Sequence, residues 1–185
     1  MKKIIVLLLI LASPLFAEKG TSNFKKVFTQ EEKQIFLDSM NKYRLAKGLK
    51  RVEYYPDIEN LAKIRIKTIS KHRKEVLSSI TKEEYRKNHL YHLHFGLYED
   101  MELFNINLKS NRKKNYIMAI PSENIALFFE NDGQLIYSLF DGWKHSPSHW
   151  DAMMKETIDT VALEMGETDV GIIACLVLFK RLNKK

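Results

Sequence analysis

The sequence predicts a single α/β domain in which helices are layered on a late antiparallel sheet, and three observations carry that prediction. Apolar residues recur at helical spacing through much of the first half of the chain. The last third holds two apolar, β-branched runs of strand length joined by a turn. A length of 185 residues, 45% of them hydrophobic and 29% charged, suffices for one packed core and leaves little room for a second.

The elements follow in order. Residues 1–17 read as a secretory signal peptide: Lys2 and Lys3, the apolar run Ile4 to Leu11, and a small residue, Ala17, at the end. Their apolar stretch falls short of the ~20 residues that cross a bilayer, so no transmembrane anchor is expected once the signal is removed. No cysteine lies near Ala17, which disfavours a lipid-anchored form. Residues 18–27 are a polar linker, and residues 28–182 form the domain. Thr29-Gln-Glu-Glu32 is a capping box, an acceptor side chain followed by a glutamate three residues on. The helix it opens carries Ile35, Phe36, Met40 and Tyr43 and closes near Gly48. Pro56-Asp57 starts a second helix with apolar residues from Ile58 to Ile69, and Thr81-Lys-Glu-Glu84 caps a short third one.

After that helix comes Asn88-His-Leu-Tyr-His-Leu-His-Phe95, and residues 96–115 read as irregular. Tyr116 to Ile120 is a strand that enters Pro121-Ser-Glu-Asn124 and continues through Ile125 to Phe129. Asp132-Gly133 is a turn, Gln134 to Lys144 has helical apolar spacing, and Ser146 to Lys155 is a second short helix beginning at a proline. Thr157 to Met165 and Val170 to Phe179 are strands joined by Gly166-Glu-Thr-Asp169.

Charge and cysteine content narrow the function classes. The formal charge of +7 drops to +5 when Lys2 and Lys3 leave with the signal. The basic residues are spread, with short clusters at 109–114 and 181–185 that read as solvated loop and tail. No nucleic-acid-binding motif is present, and none is expected in an exported chain. The single cysteine, Cys175, lies in an apolar strand and reads as a small buried hydrophobe, so the core must hold the fold without a disulfide.

The stretch Trp143-Lys-His-Ser-Pro-Ser-His-Trp150 is the richest in chemistry. His145 and His149 are four residues apart, a spacing that on one unbroken helix would suit two metal ligands. Pro147 argues against an unbroken helix, since it disfavours helical geometry at Ser146 and removes a backbone donor. His145 then ends one helix, where the dipole favours it, and His149 lies in the first turn of the next. Trp143 and Trp150 read as packing residues.

Three motifs in this order, Asn41-Lys-Tyr-Arg44, Ser122-Glu-Asn-Ile-Ala126 and Trp143-x-x-Ser-Pro-x-His149, resemble the CAP superfamily of cysteine-rich secretory, antigen 5 and pathogenesis-related proteins, most closely its bacterial branch. The resemblance runs from about Phe28 to Phe179. It implies a three-layer α-β-α sandwich with a central, mainly antiparallel sheet and a cleft lined by histidine and glutamate. Members of the family commonly hold a divalent metal such as zinc in that cleft. By motif, Glu123 matches the glutamate of the family's Glu-Asn pair and His149 the histidine of its Ser-Pro-x-His pattern. A further histidine precedes the Glu-Asn pair in the family. His89, His92 and His94 are the candidates for it, and His94 is chosen as the nearest to the irregular segment. His94, Glu123 and His149 are therefore the implied metal ligands, and Asn124 joins them as a cleft residue that satisfies backbone groups. Ser146 stands where the eukaryotic branch carries a second cleft glutamate, so the full set of two histidines and two glutamates is not expected.

Asn41, Tyr43 and Arg44 read as structural links from the first helix to the sheet. Two imidazoles and one carboxylate would suit zinc with a water in the fourth position, although spacing alone does not assemble them. No nucleophile motif and no His-Glu-x-x-His helix is present. The expected function is therefore that of an exported binding module, periplasmic or extracellular, that engages a lipid, glycan or protein. Two alternatives stay open. One is a hydrolase in which metal-bound water or Glu123 serves as base and His149 polarises the substrate; the other is a structural surface protein with a vestigial cleft.

Overall fold

A computed structural model describes residues 25–26, 28–88, 95–100, 102, 104, 116–130 and 133–183. The expected signal peptide, His89, His92, His94 and the basic cluster at 109–114 lie outside the described residues. The elements are β1 (Lys25–Lys26), α1 (Gln30–Ala46), β2 (Glu53–Tyr54), a 3-10 turn (Pro56–Ile58), α2 (Glu59–Leu77), α3 (Lys82–Lys87), β3 (Tyr116–Phe128), α4 (Leu135–Lys144), α5 (Pro147–Met153), β4 (Thr160–Thr168) and β5 (Gly171–Asn183).

Both capping boxes form. The Thr29 hydroxyl accepts from the Glu32 amide at 3.2 Å while the Glu32 carboxylate accepts from the Thr29 amide at 2.8 Å. Thr81 and Glu84 repeat the exchange at 3.2 and 2.8 Å. Gly48, at φ 73°, follows the end of α1 in the left-handed region that glycine tolerates.

β5 sets the layering. Its residues 172–179 are all buried, and their alternation sorts them to two faces. Ile172, Ala174, Leu176 and Leu178 join a core built from α1, α4 and α5, including Phe36, Met40, Leu139, Trp143 and Met153. Ile173, Cys175, Val177 and Phe179 join a second core under α2, with Leu61, Ala62, Ile66 and Ile69. A strand covered on both sides reads as an unbroken apolar run, which is why β5 shows no alternation in sequence. The result is a three-layer α-β-α sandwich.

The sheet order is β1-β4-β5-β3, with β2 also on β4. All pairings are antiparallel except β2 with β4. Along β3, Glu123 lies opposite Val177 and Asn124 opposite Leu176, after a register shift between Ala119 and Ser122 that accommodates Pro121. The final hairpin turns later than expected. Gly166 and Glu167 remain in β4, paired both with β5 and with β1, and the reversal falls at residues 169–170. β1 and β2 escape sequence reading because two residues are too few to show a period, and their pairing depends on β4.

β1 and β2 flank opposite ends of the same β4 edge, at Gly166–Glu167 and at Thr160–Val161. The opening between them is closed by side chains. The Tyr54 hydroxyl donates to the Leu163 carbonyl at 3.2 Å and to Glu59 Oε1 at 2.6 Å. Lys33 reaches from α1 to Glu59 at 3.0 Å and to Glu164 at 3.1 Å, all three buried. Burial alone would raise the Glu59 carboxyl, but hydrogen bonds from Tyr54 and Lys33 outweigh it and hold the group at about 2.

Gly171, at φ 120°, opens β5 directly beneath β3: a Cβ there would stand 2.8 Å from the Phe128 carbonyl oxygen. Gly171→Ala is expected to cost about 2 kcal/mol, from left-handed strain together with the clash. Gly142, inside α4 with nothing within 4 Å, is the matched control. Gly142→Ala is expected to stabilise by about 0.5–1 kcal/mol. Paired urea unfolding curves read both.

Candidate functional site

α4 ends at Lys144 and α5 begins at Pro147, so the histidine-bearing stretch is split as the proline requires. His145 caps α4, exposed, with Nδ1 2.9 Å from the Asp141 carbonyl oxygen and 3.3 Å from its carboxylate. His149 sits in the first turn of α5, half-buried, its Nδ1 2.8 Å from Ser146 Oγ and its ring 6.1 Å from that of the buried Trp143. The Asn124 amide donates to the His149 carbonyl at 3.1 Å. Asn124 thus ties β3 to α5, the backbone-satisfying role its side chain suggests.

Glu123 leaves β3 on the other face. Its two oxygens accept from Arg65 of α2, from Nε at 2.8 Å and from Nη2 at 2.9 Å, with both side chains wholly buried. The Arg65 Nη1 donates to Asp100 at 2.6 Å and to the Phe95 carbonyl at 2.8 Å. Burial works against the guanidinium charge, yet Glu123 raises Arg65 above its ordinary value. Burial also raises Asp100, against the pull of Arg65. Cys175 Sγ lies 3.9 Å from Glu123 Oε2, and burial followed by the Glu123 charge pushes its thiol well up, so it stays protonated and unreactive at neutral pH.

The structure therefore brings Asn124 to His149 and places Glu123 across the sheet from both. Alternation along β3 enforces this, because neighbouring residues of a strand point to opposite faces. Among the described residues no three His, Cys, Asp or Glu side chains gather as metal ligands. His94 lies outside the described residues.

A different concavity lies on the outer side of the α1/α4 layer. Ile35, Phe36, Ser39 and Tyr43 of α1 face Ile136, Tyr137, Phe140, Asp141 and Lys144 of α4 across a groove of about 290 Å³. Phe36 meets Phe140 edge-on at 5.3 Å, Tyr43 stacks on Phe140 at 5.9 Å, and Trp150 of α5 meets Tyr43 edge-on at 5.3 Å. Lys144 Nζ stands 4.9 Å from the centre of the Tyr43 ring. Hydrogen bonding to Lys144 and then the lysine charge lower the Tyr43 phenol, and the same contact raises Lys144. Asn41 and Arg44 link α1 to segments beside the sheet and not to its strands, Asn41 through Val52 and Arg44 through the carbonyls of Lys50, Met153, Lys155 and Ile158, while Tyr43 turns to this groove. The sequence signal was present but merged: in the apolar stripe of α1, Phe36 and Met40 are buried while Ile35 and Tyr43 flank them, half-exposed.

The profile of the CAP family, described as the cysteine-rich secretory protein family, matches residues 37–175. Among solved structures, an outer surface protein from Borrelia burgdorferi is similar, with a TM-score of 0.53 and 19% identity, covering 86% of this chain and 100% of that one. A cysteine-rich secretory protein from Staphylococcus aureus has a TM-score of 0.49 and 15% identity, covering 84% of this chain and 41% of that one. Compared with curated proteins, the sequence finds no match.

Proposed function

The chain belongs to the CAP family, and from that premise we propose that it is an exported binding module whose groove between α1 and α4 takes an amphiphile with an apolar body and an anionic end. The groove itself is the observation that carries this reading. Its walls are aliphatic and aromatic, a few polar groups converge at its rim, and its volume is close to the lower end of small-molecule sites. Among the described residues Lys144 is the one cation of the lining, held against Tyr43 and near the Asp141 carboxylate, where its remaining donors can pair with a carboxylate or phosphate head.

Export is supported by the charged, apolar and small-residue pattern of residues 1–17 and by the surface location named for the similar Borrelia protein. Among the described residues no helix is long and apolar enough to cross a membrane. The hydrolase alternative is less well supported. A general base needs a lone pair within reach of the substrate proton, and both Glu123 oxygens are engaged by a buried guanidinium.

The test is a fluorescence titration of the purified chain with a dansyl-labelled fatty acid and with its neutral alcohol. Saturable binding of the acid is expected, weakened about tenfold by Lys144→Glu, as a lost charge-assisted hydrogen bond implies. The alcohol should bind both proteins alike. Absence of saturable binding, or equal acid affinity in the two proteins, would remove the reading.

A further inference from the structure

The acid pocket on the α2 face has the make-up of a cation site. Glu123 contributes a carboxylate and Asp100 a second one, the Phe95 carbonyl points in, and the Cys175 sulfur lies 3.9 Å from Glu123. What these groups surround is a side chain of the protein itself. Arg65, wholly buried, gives four hydrogen bonds of 2.6–2.9 Å to them. A guanidinium fork matches a carboxylate in two parallel bonds, so Glu123 is held in a fixed orientation and not merely neutralised.

We propose that Arg65 is the resident cation of this pocket, occupying the place a divalent metal would take on Glu123 and clamping residues 95–100 onto β3. For a metal to bind through Glu123 it would have to displace Arg65, leaving a guanidinium buried beside a second positive charge. Uncompensated buried charge is among the costliest arrangements in a protein. The histidine–glutamate metal cleft implied by the family resemblance is, in this chain, closed from within at its glutamate. Shortening Arg65 should convert the pocket into a real metal site, because Glu123 and Asp100 would then face an emptied volume with like charges and without the guanidinium that stands between them. A bound divalent ion would relieve both.

Zinc and cadmium binding measured by equilibrium dialysis, together with thermal melting, tests this on the purified chain, on Glu123→Gln, on Arg65→Ala and on the double variant. The parent and Glu123→Gln are expected to take up the same amount of metal. Arg65→Ala should melt lower than the parent without metal and rise by about 5–10 °C at a hundredfold excess over its Kd. The double variant should lose that rise. One zinc per parent chain that disappears in Glu123→Gln would overturn the proposal, as would a folded Arg65→Ala that gains no Glu123-dependent stabilisation by either metal. If Arg65→Ala does not fold, the comparison of the parent with Glu123→Gln decides alone.

Discussion

Arg44→Met is expected to lower the stability of the protein by about 4 kcal/mol, since it strips a donor from four carbonyls at once and each unsatisfied buried group costs about 1–3 kcal/mol. Arg44 is fully buried. It donates to Lys50 at 2.9 Å, to Met153 at 2.8 Å, to Lys155 at 3.0 Å and to Ile158 at 3.3 Å, joining the end of α1 to the exit of α5 and the approach to β4. Among the described residues it forms no ion pair. Its charge is met by carbonyl dipoles, two of them at the C-terminal end of α5, where the helix dipole favours a cation. Burial lowers its pKa, but an arginine remains charged. Arg44→Lys should recover only part of the loss, because an ammonium on a flexible stem cannot serve four acceptors in a plane. Urea unfolding checks both. A loss under 1 kcal/mol in Arg44→Met would mean that water or a rearranged loop satisfies these carbonyls.

Lys33→Met is expected to cost about 3–5 kcal/mol, the usual consequence of removing one member of a buried charge network. Among the described residues, the two buried carboxylates Glu59 and Glu164 would keep only Lys63, at 3.7 and 3.9 Å, as a neighbouring cation. The pH dependence carries the sign. Glu59 has its folded pKa depressed to about 2, below the ordinary 4.5. Its contribution to stability is therefore present above pH 4.5 and is lost as the pH falls through the folded value near 2. Lys33→Met removes much of that contribution, so its deficit against the parent should be large at pH 7 and shrink at pH 3. The further change Glu164→Met should restore part of the stability at pH 7, because a buried ion pair can be replaced by apolar side chains at little cost. A deficit independent of pH would show that the stem of Lys33, and not its charge, carries the effect.

The capping boxes, the proline that splits His145 from His149, and the two late strands were all legible because each rests on local chemistry: a side chain on its own helix end, a missing amide, an apolar run. The class of fold followed from their order. What local pattern does not encode is which elements become neighbours. β1 and β2 are two residues each and exist only by pairing with β4, and the burial of Lys33 becomes visible only once Glu59 and Glu164 are brought to it from 26 and 131 residues away. The separation of Glu123 from His149 is of the same kind. Each matches a family motif, but only the alternation of β3 and the partner waiting on α2 decide which face the carboxylate takes. Arg65 could have been noticed as a cation at a core position of the α2 pattern, between Ala62 and Ile66 on one side and Ile69 on the other, since such a position demands a buried acid.

Amide hydrogen exchange, recorded with and without a saturating dansyl-labelled fatty acid, tests the central claim most directly, because it asks which side of the sheet the ligand uses. The groove between α1 and α4 predicts slowed exchange at residues 35–43 and 136–144, with residues 61–69 and 122–125 unchanged. Protection concentrated at residues 61–69 and 122–125, with the groove unaffected, would contradict the account and return the binding site to the Glu123 face.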